Sequence, residues 1–236
     1  FYQFNPFADR CDWSCVNACW GHARSRDLVR WEQLPIAVAP SLEEGNYQCA
    51  SGCATRRADG TPMLFYGHTP LLGRDGSRPP RQQWAALPLD SEFRTWRTLD
   101  IGLAPGQSGV PADIAGCWTD MFIFREAGRT FAIFKEANGL VVEARNPELT
   151  RWQAVGRIDG VFGECPNFIQ IQDRWLLLRS SYPMTYQVGR FDPDRIAFEM
   201  DGPTGIVDYS YGLNPPPDPA DTNDYLDASG VPVCRY

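Results

Sequence analysis

The segment Asp27-Leu28-Val29-Arg30-Trp31-Glu32-Gln33-Leu34 is the first of three copies of one pattern. Each copy has an acidic residue followed by an apolar residue, a Trp three positions later, and a further apolar position beyond the Trp. The second copy spans residues 91–99 with Trp96, and the third spans residues 147–155 with Trp152. Residues 194–200 form a weaker fourth copy. A pattern that returns about every 60 residues indicates a repeat architecture.

Short apolar runs lie between the copies and are bounded by Gly, Asp and Pro, as strands are. These runs are residues 62–66, 84–87, 121–124, 130–134 and 140–144. No long amphipathic helix pattern is present. Groups of about four short strands at this spacing are typical of β-propeller blades. Each copy is then the outermost strand of a blade, with its Trp wedged between neighbouring blades. The alternative is a β-sandwich with coincidental Trp spacing, which three matched copies disfavour.

Composition is that of an ordinary globular domain, with 43% hydrophobic and 22% charged residues in 236. We therefore expect one large all-β domain over residues 1–236. The net charge of −7 argues against a nucleic-acid partner, which needs a surplus of Lys and Arg. No apolar run reaches the length of a membrane span. Aromatic residues make up 13% and include eight Trp, which is common where rings stack on sugars.

Eight cysteines permit disulfides without establishing them. Cys11, Cys15 and Cys19 follow one another at four-residue intervals, and Cys49 and Cys53 could supply a second pair of zinc ligands. The sequence has two His and no His pair at ligand spacing. We therefore expect free thiols or disulfides near a loop and no metal centre.

The segment Gly163-Glu164-Cys165-Pro166 begins a predicted strand, 167–171, which a turn at 172–173 joins to residues 174–178. Val161 and Phe162 precede Glu164, and apolar surroundings disfavour the charged form of a carboxyl group. A carboxylic acid that stays protonated near neutral pH is what a general acid needs. The alternative is a Glu on an edge strand that faces solvent.

The inner strands of successive blades converge on the propeller axis. They should begin near residues 48–52, 117–121 and 164–166, which places Asp120 and Glu164 at like positions in adjacent blades. Considered without Glu164, Asp120 is interpreted as a residue of a turn or of a strand start. Together, two carboxylates that face one axial pocket are the apparatus of glycoside hydrolysis.

Five segments carry a resemblance to a known family. Residues 1–6 read Phe-Tyr-Gln-Phe-Asn-Pro, residues 20–31 read Trp-Gly-His-Ala-x-Ser-x-Asp-Leu-Val-Arg-Trp, and residues 34–37 read Leu-Pro-Ile-Ala. Residues 51–52 are Ser-Gly, and residues 164–166 are Glu-Cys-Pro. This set resembles glycoside hydrolase family 32, the invertases, inulinases and levanases, from residue 1 to about residue 192. The resemblance implies a five-bladed propeller, a retaining mechanism, fructosyl substrates, and neither a metal nor an organic cofactor.

The resemblance also implies roles for individual residues. Glu164 matches the general acid and base. Asp120 matches the Asp that grips fructose hydroxyls and steadies the transition state. Gln3 and Ser51 match hydrogen-bonding pocket residues, and Trp13 matches a Trp that borders the pocket.

Two motifs depart from the family pattern. Its Arg-Asp-Pro is here Thr119-Asp120-Met121, so Thr119 takes the place of a guanidinium donor at a substrate-binding position. Its Phe-Ser-Gly-Ser is here residues 50–53, Ala-Ser-Gly-Cys.

The family's nucleophilic Asp lies on a strand before the Phe-Tyr-Gln block, whereas this chain begins with that block. Asp9 and Asp12 lie in the following loop and do not replace it. After Tyr209 the sequence predicts a Pro-rich loop and part of a fifth blade, so the first and last blades should be incomplete. The family's C-terminal β-sandwich has no counterpart here. We expect a partial catalytic domain of a longer enzyme, inactive by itself.

The function expected from the resemblance is hydrolysis of β-fructofuranosyl linkages in sucrose, a fructan or a related saccharide. Alternatives are a transfructosylase, a related propeller hydrolase that acts on arabinan or xylan, and a non-catalytic carbohydrate-binding propeller. The expected partner is a saccharide, with no nucleic acid and no membrane. The oligomeric state stays open, although the exposed flank of an incomplete first blade favours association.

Overall fold

Short strands account for nearly all regular structure in the computed structural model, which describes residues 1–6, 17–77, 79–114, 118–180 and 184–208. The strands are β1 Tyr2–Phe4, β2 Cys19–Ser25, β3 Trp31–Val38, β4 Asn46–Arg56, β5 Pro62–Pro70, β6 Gln82–Pro88, β7 Trp96–Leu103, β8 Phe122–Glu126, β9 Arg129–Ile133, β10 Leu140–Ala144, β11 Trp152–Arg157, β12 Glu164–Ile171, β13 Arg174–Ser180, β14 Met184–Asp192, β15 Ala197–Met200 and β16 Gly205–Asp208. One helix of four residues, α1 Glu136–Gly139, follows β9. All the strand runs predicted between the repeats are confirmed.

The strands form four antiparallel sheets, each built from consecutive strands, as propeller blades are. Blade I contains β1 to β3, blade II β4 to β7, and blade III β8 to β11. Blade IV contains β12 to β15, with β16 paired to β14. Strands β4, β8 and β12 contact one another in turn and are the inner strands, as predicted. The all-β propeller arrangement is therefore confirmed for four blades.

Three hydrophobic clusters fill the three interfaces between neighbouring blades. The first joins blades I and II around Trp20 and Tyr66. The second joins blades II and III around Phe65 and Trp118. The third joins blades III and IV and stacks Phe168 on Trp175 with ring centroids 4.7 Å apart. Each blade thus buries its apolar faces against the next blade, so the sheets depend on one another for a core.

The repeated pattern forms the same tight turn each time. The apolar residue three positions before the Trp adopts a left-handed backbone, with φ of 60° at Leu28, 58° at Phe93 and 57° at Leu149. The indole N–H of the Trp donates to the carbonyl oxygen of that residue, at 3.3, 3.0 and 2.9 Å respectively. In the weaker fourth copy, Ile196 has φ of 51° and keeps the turn without the Trp.

The three Trp lie at equivalent outer-strand positions, as predicted, because each is the first residue of the outermost strand of its blade. Trp152 packs edge-on against Phe65 of blade II at 5.8 Å. Trp96 packs edge-on against Phe1 of blade I at 5.5 Å. Trp31 is different, because it is 57% exposed. The prediction that every Trp is wedged between blades is therefore confirmed for Trp96 and Trp152. It stays a prediction for Trp31, because the described residues place no further blade on that side of blade I.

The predicted fifth blade would begin after Tyr209, outside the described residues. Within the described part of the chain, no helix is long and apolar enough to cross a membrane.

Candidate active site

Asp120 lies at the centre of the candidate site, two residues before the inner strand of blade III. It is 7% exposed and adopts a left-handed backbone with φ of 63°. The hydroxyl of Thr119 donates to Asp120 Oδ1 at 2.7 Å, and the backbone N–H of Cys165 donates to Asp120 Oδ2 at 3.2 Å. The second bond joins blade III to blade IV. A buried carboxylate with donors from two blades is held in one orientation.

Cys165 connects the carboxylates of the two blades. Its backbone is also left-handed, with φ of 45°. Although the residue is exposed as a whole, its thiol is partly buried beside the side chains of Ser51 and Asp120. That burial, reinforced by the negative charges of Asp120 and Glu164, raises the pKa of Cys165 to about 11. The thiol is therefore protonated near neutral pH.

Glu164 is the first residue of β12 and lies opposite Ser180 of β13. Its position is set by Gly163, where φ is 79° and any Cβ would meet the Ser180 carbonyl oxygen at 2.6 Å. The Glu164 side chain is exposed, unlike that of Asp120. The apolar surroundings expected for it form only in part, because Val161 is buried in the core and the Phe162 ring lies over the Arg179 guanidinium.

Ser51 and Thr119 reach this cluster from different blades. Ser51 lies on β4, at an irregular pairing with β5 where Gly52 approaches the Phe65 carbonyl oxygen too closely for any side chain. Thr119 is 5% exposed and directs its hydroxyl to Asp120. The structure thus joins Ser51, Thr119 and Asp120 by hydrogen bonds, and it links Glu164 to them through the backbone of its neighbour Cys165.

The other two predicted residues are not part of this contact cluster. Gln3 lies on β1 opposite Trp20 and is exposed. Trp20 donates its indole N–H to the Ala50 carbonyl oxygen at 3.1 Å, which ties blade I to the strand that carries Ser51. Trp13 lies outside the described residues.

Sequence reasoning missed Lys135. Its ammonium nitrogen lies 3.7 Å from Asp120 Oδ2, and its side chain is 24% exposed. One signal was available, because Lys135 is the single lysine of the chain. Within the described ranges, no group of three or more His, Cys, Asp or Glu side chains is placed to hold a metal ion.

The sequence also matches known proteins. The family model for the N-terminal domain of glycosyl hydrolases family 32 matches residues 1–213. The chain is similar to sucrose-6-phosphate hydrolase of Klebsiella pneumoniae, with 28% identity over 243 residues that cover 92% of this chain and 49% of that protein. It is 44% identical over 194 residues to sucrose-6-phosphate hydrolase of Zymomonas mobilis subsp. mobilis, covering 76% of this chain and 37% of that protein. The chain thus spans about half the length, or less, of these relatives.

Solved structures share the fold. A mutant of Bombyx mori GH32 beta-fructofuranosidase in complex with sucrose superposes with a TM-score of 0.67 at 23% identity, over 89% of this chain and 47% of that chain. A mutant of fructan 1-exohydrolase IIa from Cichorium intybus in complex with 1-kestose superposes with a TM-score of 0.63 at 20% identity, over 85% of this chain and 41% of that chain.

Proposed function

The chain belongs to glycosyl hydrolase family 32, and from this premise we propose that the protein hydrolyses β-fructofuranosyl linkages in sucrose, a fructan or a related saccharide by a retaining mechanism. One contact carries the proposal. The bond from the Cys165 N–H to Asp120 holds a buried carboxylate beside the exposed Glu164, from two adjacent blades. Two carboxyl groups in unlike environments can serve two different roles.

In this mechanism Glu164 protonates the leaving glycosidic oxygen and then activates water. Its exposure suits a group that must meet both substrate and water. Retaining hydrolysis also needs a carboxylate nucleophile about 5–5.5 Å from the acid. We assign that role to a residue other than Asp120, because Asp120 matches the Asp with which the family grips fructose hydroxyls.

Asp120 orients sugar hydroxyls instead. An ionised carboxylate offers about four acceptor positions, so two bonds within the protein leave room for hydroxyl donors. Thr119 supports Asp120 from a buried position. Ser51, Gln3 and Trp13 complete our proposed substrate-binding set.

We further propose that the complete propeller has five blades. The exposed face of Trp31 supports this arrangement, because its counterparts Trp96 and Trp152 each pack on the preceding blade. Trp31 would pack in the same way on the blade that closes the ring.

The test of the mechanism is Glu164→Gln in the full-length gene product. Substrates with poor leaving groups should lose about 10²–10⁴-fold in rate, the usual contribution of general acid–base catalysis. Substrates with activated leaving groups should lose much less in the first step. Glu199→Gln is the matched control, an exposed Glu on the outer strand of the same blade. Equal losses on both classes of substrate would remove Glu164 from the acid role. Sugar binding without any hydrolysis would favour a non-catalytic propeller.

A further inference from the structure

Lys135 differs from every other basic residue of the chain. Of the 22 Lys and Arg residues, it is the single lysine. Elsewhere the chain uses Arg to pair with carboxylates, as Arg129 does with Glu143 at 2.8 Å. Lys135, the one position with a lysine instead of an arginine, lies beside the Asp120 carboxylate at the centre of the candidate site.

The hairpin of blade III fixes the position of Lys135. Phe122 of β8 pairs with Ile133 of β9, and beyond this last pair Asp120 lies two residues before β8 and Lys135 two residues after β9. The Lys135 carbonyl oxygen accepts the N–H of Gly139 at 3.4 Å, which closes the short turn after β9. The lysine therefore lies at the end of the hairpin and is held by the turn, and its side chain is partly buried.

The contact between Lys135 and Asp120 is an ion pair rather than a hydrogen bond, because 3.7 Å is beyond hydrogen-bond distance. The ammonium group has three N–H donors. Among the described residues, no acceptor takes a hydrogen bond from Lys135 Nζ. An Arg in this place could form a two-pronged pair with Asp120 and occupy its oxygens. A lysine supplies the positive charge and leaves the carboxylate open.

We propose that Lys135 is a substrate-binding residue. Its ammonium group donates a hydrogen bond to one hydroxyl of a sugar unit, and the neighbouring hydroxyl of the same unit donates to Asp120. The proposal rests on the proposed function, since it places the saccharide at Asp120. The ligand class is a neutral sugar with adjacent hydroxyls, one used as acceptor by Lys135 and one as donor to Asp120.

The test uses Lys135→Met and Lys135→Arg in the full-length gene product. Calorimetry measures the dissociation constant for fructose, and steady-state kinetics with sucrose separates KM from kcat. Lys135→Met should weaken fructose binding about tenfold or more, the usual loss for a hydrogen bond to a charged group. The same variant should raise KM more than it lowers kcat. Lys135→Arg should also weaken binding, because its guanidinium occupies Asp120. The control is Arg151→Met, an exposed cation at the outer strand of the same blade, which should change neither quantity.

A dissociation constant within twofold of the parent for Lys135→Met would overturn the proposal. Should Lys135→Met fail to fold, a dissociation constant within twofold for Lys135→Arg would do the same. If the unsubstituted protein binds fructose but does not hydrolyse sucrose, the proposed function is contradicted, and fructose binding by the Lys135 variants still tests the Lys135 proposal. One that binds neither sugar would overturn the Lys135 proposal as well.

Discussion

At the scale of single residues, Asp120 and Cys165 share an unusual backbone. Both have positive φ, 63° and 45°, and they are joined by the bond from the Cys165 N–H to Asp120 Oδ2. A residue other than Gly in this region costs on the order of 1–3 kcal/mol and persists only where its surroundings enforce it. Here the two residues hold each other, together with Thr119 and Lys135. Strain that coincides with a buried carboxylate supports a functional role for this contact.

The Cys165 thiol should report on the charge of Asp120. Because the pKa of Cys165 is raised to about 11, its alkylation by iodoacetamide should be slow at pH 8 and should rise with pH until about pH 11. Asp120→Asn removes one of the negative charges that raise this pKa, so its pH profile should shift to lower pH. Peptide-resolved mass spectrometry measures the rate at Cys165 alone. Exposed Asp173→Asn is the control and should leave the profile unchanged. If the alkylation rate of Cys165 in the parent stops rising near pH 9, the expected environment of the thiol is contradicted.

Sequence reasoning reached part of this site. The repeat placed Asp120 and Glu164 at like positions in adjacent blades, and the structure joins Asp120 to Cys165, the neighbour of Glu164. Sequence reasoning missed Lys135, because the sequence does not show that its side chain lies beside Asp120, 15 positions earlier in the chain. The solvent-facing Glu164 that the sequence left open as an alternative is the one found, because the Phe162 ring lies over Arg179.

At the scale of elements, the turn before each outermost strand is built around an Asp or Asn side chain. Asp90 Oδ1 accepts the N–H groups of Glu92 and Arg94, at 2.9 and 3.1 Å. Asn146 Oδ1 accepts those of Thr150 and Arg151, at 3.1 and 2.9 Å. Such bonds are why Asp and Asn favour turns. The sequence pattern located these strands correctly, but strand propensity gives no sign of a left-handed Phe93 or Leu149. The capping side chain and the Trp impose that conformation.

Glu143 of β10 pairs with an Arg that links blades III and IV, and it should make stability depend on pH. It is 8% exposed and pairs with Arg129, which also donates to the Pro193 carbonyl oxygen in blade IV. The hydrogen bond from Arg129 holds the pKa of Glu143 below its ordinary value. A lowered pKa means that the stabilisation is complete above the ordinary carboxyl pKa of about 4.3 and is lost as pH falls through the folded value.

Glu143→Gln should therefore lower the free energy of unfolding by about 1.5–3 kcal/mol near pH 7, the range for hydrogen bonds to charged groups. The difference from the parent should shrink as pH falls below about 4. Urea denaturation at a series of pH values measures both effects. The control is Glu148→Gln, an exposed Glu on the same blade. A difference that stays constant from pH 7 to pH 3 would show that the Glu143 carboxylate charge contributes nothing.

At the scale of the whole molecule, the hydrophobic core lies at the interfaces between the blades. Each cluster combines residues of two neighbouring blades, as the packing of Phe65 on Trp152 shows. The repeat predicted this arrangement, because its Trp returns once per blade. The repeat could not predict that Trp31 is exposed, because burial of the Trp31 ring depends on a neighbouring blade and not on the sequence of blade I. Blade I also exposes Tyr2 and Ile36 in part.

The two equivalent residues Trp31 and Trp152 form a matched pair that tests ring closure. Trp152 is 3% exposed, so Trp152→Ala should cost about 3–5 kcal/mol of unfolding free energy in the full-length gene product. If a fifth blade covers Trp31 as blade II covers Trp152, Trp31→Ala should cost a similar amount in the same protein. If Trp31 stays exposed, Trp31→Ala should cost under about 0.5 kcal/mol, as exposed substitutions do. Chemical denaturation gives both values, and iodide quenching of Trp fluorescence measures exposure independently. A near-neutral Trp31→Ala, with quenching lost on that substitution, would rule out a fifth blade on this flank.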